Sequence, residues 1–218
     1  MSVENFYLKL EDNNKNAYYN PHGEKGIQHP ARILLTAPSN SGKTNFLMNV
    51  IKTFKNWENF VIITADPSDK LYEWFFKKIS EVNKERIILS NKLEDLPKLD
   101  SLDKDLQNLI IFDDIITEKN FFPEIERYFI RGRKKNCTII MITQNYYSVN
   151  PLVRNNCSNL YMRDVFKRRD LNQILQDFSQ LNMDIDELKK KYQEATKNKL
   201  DFFGIDIYGN LYKNFEKK

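Results

Sequence analysis

The run RILLT at 32–36 leads into APSNSGKT at 37–44 and then into NFLMNVIKTF at 45–54. A strand, a loop of small polar residues closing on Gly-Lys-Thr, and an amphipathic helix follow one another without a gap. Loop amides converge on an anion only where a helix N-terminus follows at once, so this order restricts the fold sharply. The helical spacing puts Phe46, Leu47, Val50, Ile51 and Phe54 on one face. Pro38, Ser39, Asn40, Ser41, Gly42, Lys43, Thr44 and Asn45 are the candidate cradle for a triphosphate. Lys43 is placed to reach the β and γ phosphates, and Thr44 to offer its hydroxyl to Mg2+. Ala37 stands at the first glycine of GxxxxGK(S/T), and Asn40 at a middle position that is often glycine. Asparagine tolerates positive φ better than most side chains, so the bend stays feasible. The plain alternative, a loop before an ordinary core helix, does not account for both flanks.

Strands are expected at 32–37, 60–65, 86–90, 107–113, 137–143 and 159–163, with helices at 43–56, 69–80, 120–134 and 167–178. The strands are continuously apolar rather than alternating, so both faces of the sheet are covered. An α/β fold follows, a three-layer sandwich with a mainly parallel central sheet. Residues 1–30 read as a polar lead-in and 31–218 as one P-loop domain. In the tail, DIDELKKKYQEATKN is a charged helix, and DFFGIDIYGNLYKNF is a hairpin turning at Gly209-Asn210, an antiparallel addition at a sheet edge.

NLIIFDDI ends an apolar strand in two carboxylates. Asp113 at the tip would hold Mg2+ through water, and Asp114 would orient or deprotonate the attacking water. The next strand ends MITQN. In NTPases with an extra strand between the phosphate-loop strand and the acidic strand, a polar residue at its tip faces the γ phosphate, the place of Gln144. A buried glutamine bonding to a loop is the competing reading. NKLD at 198–201 and DIYG at 206–209 mimic GTPase motifs in reversed order, so ATP is the expected nucleotide.

The remaining composition narrows the chemistry. Two cysteines, Cys137 and Cys157, read as buried reduced thiols, and two histidines, His22 and His29, lack soft neighbours for a metal site. Metal chemistry is therefore oxygen-ligated. The apolar runs are far shorter than the roughly 18 residues that span a bilayer, and the start lacks a signal-peptide pattern, so no membrane partner and no export are expected. A net charge of +4 permits a polyanion partner without requiring one.

Arginines gather in RGRKKN at 131–136, at Arg154 and Arg163, and in KRRD at 167–170. In a ring of subunits one would serve as a trans-acting finger, a contribution of about 10³–10⁵ in rate elsewhere. Arg131, Arg133 and Arg154 flank the glutamine strand and rank first. HPARILLTAPSNSGKT, LIIFDD, RGRKKNCTIIMITQNYYSVNPLVRNNCSNLYM and FFGIDIYGNLYKNF together resemble the viral genome-packaging ATPases of the FtsK-HerA superfamily, from His29 to Phe215. The resemblance implies an ASCE, RecA-like P-loop fold and a pentameric or hexameric homo-oligomeric ring. Such a ring drives double-stranded DNA into a preformed capsid by ATP hydrolysis, in contact with capsid or vertex proteins in the host-cell cytoplasm or with the virion. It carries Lys43 and Thr44 over as phosphate and magnesium contacts, Asp113 and Asp114 as the acidic pair, and Gln144 as sensor. Asp114 departs from the glutamate usual there. A small-molecule kinase and a non-translocating assembly scaffold are the rival readings.

Overall fold

The computed structural model describes residues 27, 29–53, 57–80, 87–115, 118–165, 168–178 and 184–217. Most of the expected lead-in, and Phe54 of the first helix, lie outside these. Six strands, β1 (Arg32–Thr36), β2 (Asn59–Thr64), β3 (Ile87–Ser90), β4 (Asn108–Asp113), β5 (Cys137–Thr143) and β6 (Asn159–Met162), fall within a residue or so of the expected runs. Three more close the chain, β7 (Phe203–Asp206), β8 (Leu211–Lys213) and β9 (Glu216–Lys217). They form one sheet in the order β3-β2-β4-β5-β1-β6-β7-β8-β9. Pairing is parallel from β3 to β6 and antiparallel from β6 to β9. The sheet is thus mainly parallel with an antiparallel edge, and β5 lies between the phosphate-loop strand β1 and the acidic strand β4.

Alternate residues of each strand enter two separate cores, as a pleat requires. On one face Ile33, Leu35, Ile62 and Ile140 pack with Phe46, Leu47, Val50 and Ile51 of α1 (Lys43–Thr53) and Tyr72 of α2 (Lys70–Ser80). On the other face Leu34, Ile63, Ile139 and Met141 pack against four helices. These are α3 (Phe122–Arg131), α4 (Pro151–Asn155), α5 (Arg168–Phe178) and α6 (Ile185–Ala195). The three-layer reading holds, and a full apolar coat on both faces is its cause.

Ile27 and His29 are buried. The His29 ring bonds Thr138 Oγ1 at 2.5 Å and Asn136 Oδ1 at 3.0 Å, tying the lead-in to β5. Cys137 and Cys157 are buried free thiols, and burial pushes both up to about 12, so they pack as small apolar groups.

The hairpin turn differs from expectation. The connection spans 207–210 and is organised by the buried Asp206 carboxylate rather than by Gly209-Asn210 alone. Asp206 Oδ1 accepts from the amides of Tyr208 and Asn210, each at 2.9 Å. Its Oδ2 accepts from Tyr212 Oη at 2.7 Å. Gly209 supplies the positive φ, +75°. Because β7 runs antiparallel, Asp206 pairs with Asn159 at the start of β6, so DIYG sits at the end of the sheet away from the phosphate loop.

Candidate active site

Every group of the site sits where parallel strands end. Thr36 pairs with Thr143 and Asp113 with Ile142, so the C-terminal tips of β1, β5 and β4 lie side by side. Crevices at such tips, where strand order turns back, are the usual ligand sites of open α/β sheets.

The loop between β1 and α1 is bent by two left-handed residues, Asn40 at φ +61° and Gly42 at φ +89°. The asparagine takes the conformation that the missing glycine would have taken, and Ser41 Oγ donates to Pro38 O at 2.7 Å to close the turn. Phe46 N donates to Gly42 O, which starts the helix. The amides of the first turn of α1 precede any intrahelical acceptor, so their N–H groups point to the loop's mouth. Gly42→Ala is expected to lower unfolding stability by about 1–2 kcal/mol in urea titration, chiefly through φ strain. The added Cβ would also stand 2.6 Å from Leu200 Cδ2, the end of a half-exposed side chain that can rotate away.

Lys43 Nζ donates to Pro38 O at 2.9 Å, folded back over its own loop. Burial lowers its pKa, and Asp114 and Asp113 oppose that by attraction. Gln144, one residue beyond β5, connects the loop to the acidic pair: Ser39 Oγ donates to its Oε1 at 2.8 Å, and its Nε2 donates to Asp114 Oδ2 at 2.5 Å. Asp114 has φ +53°. A short acidic side chain adopts that region more readily than a glutamate, which gives a backbone reason for aspartate here.

Asp113 is joined by a residue that sequence reasoning passed over. Tyr72, fully buried on α2, donates its hydroxyl to Asp113 Oδ2 at 2.5 Å. Thr44 and Asp113 are the two groups expected to face a cation. The donors are all oxygen, which suits magnesium. Among the described residues no group of three or more His, Cys, Asp or Glu could hold a metal. A cation at Thr44 and Asp113 must then complete its shell from phosphate and water. Asp113 is pushed up to about 6, by burial first and by Asp114 next, against the pull of Tyr72 and Lys43. The sequence KLYEWFFKK shows Tyr72 only as part of an apolar helical stripe; nothing local marks it as polar-site chemistry.

The arginines separate. Arg131 and Arg133 are exposed just before β5, at least roughly 20 Å from its C-terminal tip at one strand rise per residue. They do not meet this chain's own site. Lys135 of the same cluster is structural, its Nζ donating to Asp100 O and Leu102 O. Arg154 lies over the rings of Tyr146 and Tyr147, 4.8 and 5.2 Å from their centroids, with Nε and Nη1 buried and without a hydrogen-bond partner. The two tyrosines thus anchor the segment after Gln144. Arg163 is buried, pairing with Asp164 and donating to Asn198 O and Asp201 O. In NKLD, Asp201 is consumed by Asn198, Asn214 and Lys213, which leaves no carboxylate to read guanine.

The poxvirus A32 protein family model matches residues 22–197 of the chain. No curated protein matches its sequence. Among solved structures, the chain is similar to the genome packaging NTPase B204 from Sulfolobus turreted icosahedral virus 2 in complex with sulfate. The TM-score is 0.61 at 15% identity, over 86% of this chain and 96% of that one. B204 in complex with AMPPCP gives 0.59 at 16% identity, over 84% and 96%. EssC (ATPases 2 and 3) from Geobacillus thermodenitrificans gives 0.55 at 9% identity, over 86% of this chain and 40% of that one. Identities this low establish a shared fold, and B204 matches it over nearly its whole length.

Proposed function

The chain belongs to the poxvirus A32 protein family, and on that premise we propose that it is a genome-packaging ATPase, a motor that couples ATP hydrolysis to movement of double-stranded viral DNA into a capsid. One observation carries the hydrolytic half: Gln144 joins Ser39 of the phosphate loop to Asp114 beside Asp113, at the tips of adjacent strands. A phosphate held by the loop amides and by Lys43 ends next to this bridge. Asp114 is then placed to take a proton from water, and Gln144 to report whether the terminal phosphate is present.

Lys43 must leave Pro38 O to reach the β and γ oxygens, and Ser41 Oγ keeps that carbonyl bonded when it does. Thr44 and Asp113 would hold magnesium, which supplies charge neutralisation of the phosphates. Tyr72, bonded to Asp113, holds that carboxylate in place.

The motor half rests on the family and on the likeness to B204, the DNA-packaging ATPase from Sulfolobus turreted icosahedral virus. A homo-oligomeric ring, capsid contacts and action at the assembly site in the host cytoplasm belong to the same proposal. No helix among the described residues is long and apolar enough to cross a membrane. In such a ring Arg131 and Arg133, exposed on this chain, are the stronger candidates for the trans-acting finger, because Arg154 lies over its own tyrosines.

ATP turnover measured with and without duplex DNA over a salt series, alongside a mass measurement, tests this reading. DNA is expected to raise the rate of the assembled form, with stimulation falling steeply as salt rises, because phosphate contacts release counterions. Turnover indifferent to DNA in the assembled ring overturns the motor.

A further inference from the structure

The direction in which a nucleotide must lie follows from the sheet order. Asp113, Asp114 and Gln144 belong to β4 and β5, on one side of β1, while β6 to β9 lie on the other. A triphosphate whose terminal phosphate faces Gln144 sends its nucleoside toward β6–β9. A cavity of about 660 Å³ opens there, between the first turns of α1, at Asn45 and Asn49, and the chain at Leu200 and 213–216.

Its walls suit a base and a sugar. Leu200 is 51% exposed and leans on Gly42 at the lip of the phosphate loop. Phe215 stacks on Phe46, ring centroids 4.9 Å apart at 23°, giving an aromatic surface beside it. Lys213 and Glu216 bring polar groups to the rim. Asn214, at φ +56°, turns the chain between β8 and β9, its Oδ1 accepting from Phe202 N and its Nδ2 donating to Asp201. Asn214 thus ties the C-terminal hairpin to the start of β7, while Phe215 docks it on the phosphate-loop helix.

We propose that this cavity is the nucleoside subsite: it takes the base and ribose of the triphosphate, with Leu200 and Phe215 supplying apolar surface and Asn49, Lys213 and Glu216 the polar rim. The inference rests on the ATPase reading and adds where the nucleoside goes and which residues hold it. It also gives the antiparallel hairpin a role in substrate binding.

Photolabelling of the full chain with 8-azido-ATP, followed by peptide mapping, reads the position of the base directly. ATP-competed label is expected in the 200–216 segment; ATP-competed label in 144–165 instead, on the other side of the loop, overturns the subsite. Titration calorimetry gives a second readout with AMPPCP and inorganic tripolyphosphate as probes. Leu200→Glu is expected to weaken AMPPCP binding at least about tenfold, from lost apolar burial, while tripolyphosphate binding is kept. Unchanged AMPPCP affinity in that variant refutes the proposal. If the wild-type chain binds neither probe, the phosphate-loop reading itself falls, and the subsite with it.

Discussion

Lys43→Ala is expected to lower ATP turnover by roughly 10³-fold or more while leaving the protein folded, because a cation that grips phosphate oxygens in the transition state is lost. The structure says why the fold survives. The ammonium makes a single described hydrogen bond, to Pro38 O, and Ser41 Oγ continues to satisfy that carbonyl. The lost contact is worth about 1 kcal/mol, far below the cooperative stability of a domain this size. The burial that lowers the Lys43 pKa also means that removing the charge relieves some desolvation. Paired measurements of turnover and of thermal unfolding check the result. Retained hydrolysis in a well-folded Lys43→Ala protein would show that the loop does not bind the triphosphate in this way.

The second large effect combines activity with stability in opposite senses. Asp113→Asn is expected to reduce turnover by roughly 10²–10³-fold, since a neutral amide holds magnesium far less well than a carboxylate. The same change should stabilise the fold near neutral pH. The folded pKa of Asp113 is raised to about 6 from 3.8, so the native state prefers the protonated carboxyl. That preference favours folding fully below about pH 4 and is lost as pH rises through about 6. Above that, the buried charge costs the wild type on the order of 3 kcal/mol, by the conversion of pKa units to free energy. Relieving part of it should raise Tm by roughly 3–6 °C at about pH 8, and by little at about pH 4. Asn keeps an oxygen to accept from the Tyr72 hydroxyl, so the gain is not offset by an unpaired phenol. A variant less stable than wild type at about pH 8 would mean that Asp113 is held by its surroundings as a needed charge. The cost carried by the wild type is the mark of a group kept for function.

Much of this architecture was legible in order along the chain. The strand, loop and helix around Gly42 follow from local spacing, and Asn40 takes the left-handed bend that its side chain allows. Gln144 was placed by inserting one strand between the phosphate loop and the acidic pair, and β5 lies there. Other elements gave no such signal. The short helical turns at 93–95, 99–101 and 146–148 carry no periodicity to read. The Asp206 turn depends on a carboxylate buried by strands that pair only after folding.

The chain alone determined the apolar runs, the phosphate-loop spacing and the residue types at the strand tips, because each depends on neighbours a few positions away. Tertiary structure decided which polar groups meet. Tyr72 reaches Asp113 across 41 positions and Ser39 reaches Gln144 across 105, whereas Arg131 and Arg133 end up far from the site that β5 itself completes. It also brought Leu200 and Phe215 to the first turns of α1. A side chain in an apolar stripe looks the same whether it fills a core or faces a ligand, and only the packing of distant segments separates the two.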